Sequence, residues 1–183
     1  MRLTNLNLYF LTPTRQHLTR LALCVSLCMQ SLMYESEANN LFGVNHTQWA
    51  INSFSVNGRS GVDIIAPHQS GGGACCFNAP LQWYPGLAVR VNWETGIAYA
   101  EGFPGFANDE KYEEWAKNFR SLKRQHSAIV EIPNYMGQEV CGLTVHFLSC
   151  DKIEVTTSCH AYGSSQYPIK APLYSREPEA CQK

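Results

Sequence analysis

Eight cysteines and six histidines give this chain most of its chemical repertoire. His146, Cys150, Cys159 and His160 lie close together and invite a zinc reading. Zinc sites use Cys-x-x-Cys or His-x-x-x-His spacings that let ligands converge from one turn or one helix face, and neither spacing occurs here. The strand expected in this region turns Cys159 inward and His160 outward, so the two do not converge. No metal and no cofactor is expected. A thiol nucleophile at the adjacent Cys75 and Cys76 needs a histidine base and a depressed pKa. In a strand those two side chains point to opposite faces, so at most one lines a pocket, and a buried or disulfide-bonded cysteine is the competing reading. Asp63 and Glu94 sit at outward-facing or turn-adjacent positions and form no catalytic pair. The chain has no Gly-x-Ser-x-Gly elbow, His-Glu-x-x-His motif or dinucleotide fingerprint. These residues do not describe an enzyme.

Gly71-Gly72-Gly73 suggests a phosphate loop, which requires Gly-Lys-Ser/Thr at the entrance to a helix. Ala74-Cys75-Cys76-Phe77 follows instead and is strand-like. The glycines therefore read as a loop making a sharp turn or a close backbone approach. Six of the cysteines (Cys75, Cys76, Cys141, Cys150, Cys159 and Cys181) fall in the globular part. An even set of this kind suits disulfides in an oxidising compartment.

The elements that must position these residues belong to one domain, since 183 residues are about one folding unit. Apolar residues make up 45% and charged residues 16%, enough for a core and too little charge for a disordered chain. The 14 basic and 15 acidic side chains leave no basic excess to neutralise phosphates, which argues against nucleic acid as a partner.

Residues 1–38 read as a leader. Leu21–Met33 is apolar, follows Arg15, His17 and Arg20, and has no acidic residue before Glu35. As a helix it would span ~20 Å, short of the ~30 Å hydrocarbon core of a membrane, as in a secretory signal. Two endings are open. Ser36-Glu37-Ala38 offers small residues for cleavage before Asn39, while Cys28 offers lipid attachment behind a bulky Leu27. The competing reading is a buried or amphipathic helix in a cytosolic protein.

Residues 39–168 read as a single β-rich domain and 169–183 as an extended, poorly ordered tail. Asn39–Thr47 has no periodicity and reads as a lead-in. Trp49–Val56 and Val62–Ala66 form a hairpin across Asn57–Gly61, ended by Pro67. Leu87, Val89, Val91 and Trp93 alternate with Ala88, Arg90, Asn92 and Glu94, the period of a strand with one buried face. Pro85-Gly86 is a turn. Tyr112, Trp115, Phe119 and Leu122 share one face of a helix over about Asp109–Arg124, capped by Asn108 or Asp109. Such an aromatic stripe packs on a sheet or serves as a docking face. Ser127–Ile132 is a further strand. The fold class is therefore mainly β (α+β), an antiparallel, sandwich-like domain with one amphipathic helix packed on it.

The last hairpin runs from Val140 to about Ala161. A two-residue turn at Asp151-Lys152 would set Phe147 opposite Thr156. A loop of Cys150-Asp151-Lys152 sets Phe147 opposite Val155 and Leu143 opposite Cys159, collecting apolar groups on one face, and burial sets register. Cys141 and Cys159 then become diagonal neighbours, bonded or packed together in the core.

Phe54-Ser-Val-Asn57-Gly58, Gly71–Gly73, Cys75-Cys76 and Trp83-x-Pro85-Gly86-Leu87-x-Val89-x-Val91-x-Trp93 together resemble a bacterial domain-of-unknown-function family. Ile129-Val130-Glu131-Ile132-Pro133 and Val145-His146-Phe147-Leu148 with Asp151 extend the resemblance, which covers about Asn45 to Pro168. Members are typically small exported lipoproteins of Gram-negative bacteria. Many are encoded beside type VI secretion phospholipase effectors and taken as their periplasmic immunity proteins. The resemblance implies a periplasmic protein, anchored to a membrane through its N-terminus, that binds a cognate phospholipase effector. It implies no catalytic residues. Leu27-Cys28 departs from the lipidation motif usual in the family.

On this reading the contact residues are loop tips held by strands, Asn57, Gly58 and Arg59, Gly71, Gly72 and Gly73, and Phe103 in the Gly102–Gly105 loop. The alternative is a structural or accessory envelope lipoprotein with no toxin partner. A cysteine-dependent activity at Cys75 or Cys76 is a third reading.

Overall fold

The computed structural model describes residues 36–61, 64–97 and 102–181, without the side chains of 36–39 and 75. The leader, with Cys28 and its apolar run, lies outside the described residues, as do Val62 and Asp63. Eight strands make two four-stranded sheets. They are β1 (Ser36–Asn45), β2 (Ala50–Val56), β3 (Arg59–Ser60), β4 (Ser70–Pro80), β5 (Ala88–Gly96), β6 (Arg124–Glu131), β7 (Leu143–Phe147) and β8 (Ile153–Thr156). The first sheet is ordered β4-β1-β7-β8 and the second β3-β2-β5-β6. All pairings are antiparallel except β1 with β7. Among the described residues one α-helix, α1 (Asp109–Ser121), completes the mainly β architecture expected above.

The sheets face one another across a single core. Leu41, Leu143, Val145, Phe147 and Val155 come from the first sheet, and Ile51, Phe54, Val56, Val89, Val91 and Trp93 from the second. Phe147 is the joint, with its ring 5.4 Å from Phe54 and 6.1 Å from Trp93. β5 follows the alternation read from Leu87–Trp93, with Val89, Val91 and Trp93 buried and Arg90 exposed. Pro85-Gly86 turns as expected, Gly86 having φ 83° and Leu87 N–H donating to Tyr84 O.

Three strand assignments need correction. The lead-in Asn39–Thr47 is mostly strand β1, a central strand between β4 and β7. Leu41, Val44, Asn45 and His46 are all buried, because cover on both faces removes the polar side that alternation needs. Gly71–Gly73 is not a loop but the start of β4. Here the close-approach reading holds, since a Cβ at Gly72 would collide with the Phe42 ring. Gly73, at φ 108°, is the extra residue of a bulge where Leu41 pairs with Ala74 and Phe42 with Gly72. The hairpin after β2 turns on Asn57-Gly58 alone, with Val56 opposite Arg59. From the expected second strand, Ile65 keeps one bridge to Ile51.

Helix α1 starts where Asn108 Oδ1 accepts from Lys111 N–H at 2.9 Å. It ends at Ser121 rather than Arg124, because Arg124 opens β6 opposite Thr95. Lys123 then ties the helix exit to Glu94 of β5 at 2.8 Å.

The last hairpin slips by two residues from the expected register, with Val145 opposite Val155 and Phe147 opposite Ile153. An even slip keeps every side chain on its face. The cause lies at the turn. Cys150 and Asp151 both adopt left-handed φ (62° and 55°), and Cys150 is drawn out of the ladder by a disulfide to Cys181 and a hydrogen bond from its N–H to Glu177. Cys141 and Cys159 are bonded, as inferred, but exposed rather than in the core. β8 ends at Thr156, so inward alternation no longer governs residue 159.

Candidate functional site

Alternation along β7 sends Leu143, Val145 and Phe147 to the core and Thr144 and His146 to the outer face of the first sheet. That face is covered by the irregular segment 157–181. The tail expected to be poorly ordered is tied down along its length. Tyr162 O–H donates to Ala171 O at 2.6 Å, Ser175 N–H to His46 O at 3.3 Å, and Trp49 Nε1–H to Glu177 at 3.3 Å. His68 Nδ1 lies 3.1 Å from Leu173 O, and Cys181 is bonded to Cys150. We refer to this segment as the strap.

Between strap and sheet lies a chain of buried polar side chains whose protons follow from one acceptor. Pro172 O can only accept, so His46 Nδ1 donates to it at 2.8 Å. The neutral ring then leaves His46 Nε2 to accept from His146 Nδ1–H at 2.8 Å. His146 Nε2 in turn accepts from Tyr167 O–H at 2.7 Å. Both histidines are fully buried. Burial, and second the neighbouring His46, push His146 from its ordinary 6.5 down to about 3. Burial raises Tyr167, opposed by a hydrogen bond from Thr144. His146 and Tyr167 therefore stay neutral near pH 7. A histidine acting as general base needs a lone pair aimed at substrate, and here both acceptor nitrogens are occupied internally. The arrangement clamps the strap to the sheet.

Beside this clamp opens a cleft of about 520 Å³, lined by Phe42, Ser70, Gly71, Gly72, Thr144, Ser158, His160, Tyr162, Tyr167 and the Cys141–Cys159 pair, among others. Cys159 and His160, expected on opposite faces, both line it. Its walls are aromatic rings and hydroxyls, and no carboxylate lines it. Glu94 is held on the other sheet by Lys123, Asn52 and Gln125. The Lys123 hydrogen bond is the main reason its pKa is lowered.

The expected contact residues do not come together. Asn57, Gly58 and Arg59 form an exposed tip at the edge of the second sheet. Gly71 and Gly72 line the cleft, and Gly73 bulges beside them. Phe103 belongs to an aromatic cap outside the core. It contacts Phe106 at 5.1 Å and Trp115 at 5.0 Å, while Tyr112 meets Phe106 at 5.4 Å and Trp115 stacks on Phe119 at 5.3 Å. The helix stripe thus packs first with its own lead-in loop, and Ala116 is the one fully buried residue of α1. Cys76 is disulfide-bonded, which leaves it no thiolate to act as nucleophile. Cys141 and Cys159 lie near Glu139, and Cys150 and Cys181 near Glu177, but sulfur committed to a disulfide is not the thiolate a metal takes.

His46, Tyr167 and Cys181 had not been singled out as site residues. His146 was visible, but no sequence signal pointed to His46, 100 residues away, as its partner. Among the described residues no helix is long and apolar enough to cross a membrane.

Together these features define a disulfide-stapled β-sandwich in which two buried histidines, His46 and His146, hold a strap. Residues 44–155, more than half of the chain, match DUF3304, a protein family of unknown function, and the chain belongs to that family. The match holds His46 and His146 but ends before the strap, with its Tyr167 and Pro172. No curated protein and no solved structure matches the chain.

Proposed function

We propose that this protein is an exported binding protein of the immunity type, which occludes a type VI secretion phospholipase in the periplasm. The observation that carries the reading is the pair of disulfides, Cys141–Cys159 and Cys150–Cys181, since such bonds persist in oxidising compartments. The leader pattern and the resemblance to exported immunity proteins point the same way. A stapled sandwich loses little freedom when its exposed tips engage a partner, which favours tight occlusion. The family match itself carries no function. The test is to identify the product of the neighbouring gene, co-express it with this protein in the periplasm, and pull down the two purified proteins. Protection of the cells and a stable complex are expected. Absence of both would end the proposal and leave an accessory envelope role.

A further inference from the structure

We infer that the aromatic cap, rather than the glycine turns, is the surface that seats the partner, and that the partner offers an apolar recess rimmed by charges of both signs. This inference rests on the binding reading above for the identity of the partner. Phe106 is 76% exposed, Phe103 43% and Leu122 41%. With Tyr112, Trp115 and Phe119 partly open, the cap presents about 400–500 Å² of apolar surface, taking aromatic side chains at about 200 Å² each. A patch of that size on a monomer is often functional, and it supplies more than half of the roughly 800 Å² each partner contributes to a stable complex.

The cap is also the composition expected of a hot spot. Interface anchors are enriched in Trp, Tyr and Phe, whose contact area costs little conformational entropy when neighbouring rings hold them. Here Phe103 touches Phe106, Trp115 and Tyr112 edge-on, so the rings are fixed before anything binds.

The charges decide between occupants. α1 carries Asp109, Glu110, Glu113 and Glu114 beside Lys111, Lys117 and Arg120. Helices that lie on membranes carry a polar face dominated by Lys and Arg, so this balance disfavours a lipid surface. A second copy would set one protruding Phe106 against another, knob against knob. A foreign protein with a ring-sized recess fits both observations.

The test measures the dissociation constant of the full chain for the product of the neighbouring gene, with Phe106→Asp, Phe103→Ala and Arg59→Ala variants. Phe106 is mostly exposed, so Phe106→Asp should unfold at the same urea midpoint as wild type, while the midpoint of Phe103→Ala, whose ring packs on Trp115, is measured beside its dissociation constant. Phe106→Asp should weaken binding at least ~30-fold, and Phe103→Ala measurably, while Arg59→Ala stays within about 2-fold. Wild-type binding that survives both cap variants overturns the cap and spares the immunity reading. A wild-type protein that neither binds nor protects removes both. Sedimentation and vesicle flotation cover the other occupants: a dimer, or binding to phosphatidylglycerol vesicles, that is abolished by Phe106→Asp would reassign the cap and refute the inference.

Discussion

Acidification should unfasten this protein through His146 before most of its carboxylates titrate. The ring is fully buried, and its pKa falls from 6.5 to about 3, chiefly through burial. The unfolded chain therefore binds a proton that the folded chain refuses anywhere between those values. Stability is unaffected above pH 6.5 and declines as the pH falls toward 3. Linkage puts the loss at about 2 kcal/mol between pH 7 and pH 5, and about 4 kcal/mol by pH 3. With a urea slope of about 2 kcal/mol per molar, the first figure moves the unfolding midpoint by about 1 M. The assay is urea unfolding at pH 7 and pH 5 for wild type and His146→Gln, whose amide can still accept from Tyr167 and donate to His46 but cannot charge. The variant should start less stable at pH 7 and lose much less than wild type on acidification. Equal losses in the two proteins would show that burial of His146 does not set the pH response.

Three further outcomes are expected. The double variant Cys150→Ser/Cys181→Ser opens a link spanning 31 residues and should cost about 3–4 kcal/mol on the chain-entropy estimate. Limited proteolysis should then cut first within the strap; unchanged resistance would show that the strap needs no covalent anchor. Gly72→Ala drives a Cβ into the Phe42 ring and should cost about 1–3 kcal/mol, with Phe42→Ala recovering most of it in a double-mutant cycle read by thermal unfolding. Removing the helix cap with Asn108→Ala should cost about 0.5–2 kcal/mol by urea unfolding, and a neutral result would discount the bond from Lys111 N–H.

How much could be read beforehand depended on how many neighbours an element has. β5 has one wet face, so Arg90 and Asn92 mark its period and the strand was plain. Tyr112, Trp115 and Phe119 betrayed the helix for the same reason. β1 was illegible because Leu41 and 43–46 are buried, the one exposed side chain among them, Phe42, is itself apolar, and Asn39, Asn40 and Gly43 are poor strand formers. The pairing of Cys141 with Cys159 followed from a local hairpin and survived a wrong register, because the error was even. Cys150 with Cys181 could not be foreseen, since no periodic element joins them. The histidine clamp required knowing which sheet face the strap would cover. No local pattern records that choice.

The parallel seam between β1 and β7 has a consequence for how the chain is made. Synthesis delivers β1 first, yet the strand that completes its other side comes about 100 residues later, with His46 waiting the same interval for His146. Until then one edge of β1 lacks its neighbour, and only the β1–β4 pair and the β2–β5–β6 part of the second sheet can assemble. A polypeptide arranged in this way leaves its central seam open for most of its synthesis, and closes it only when the last third of the chain emerges.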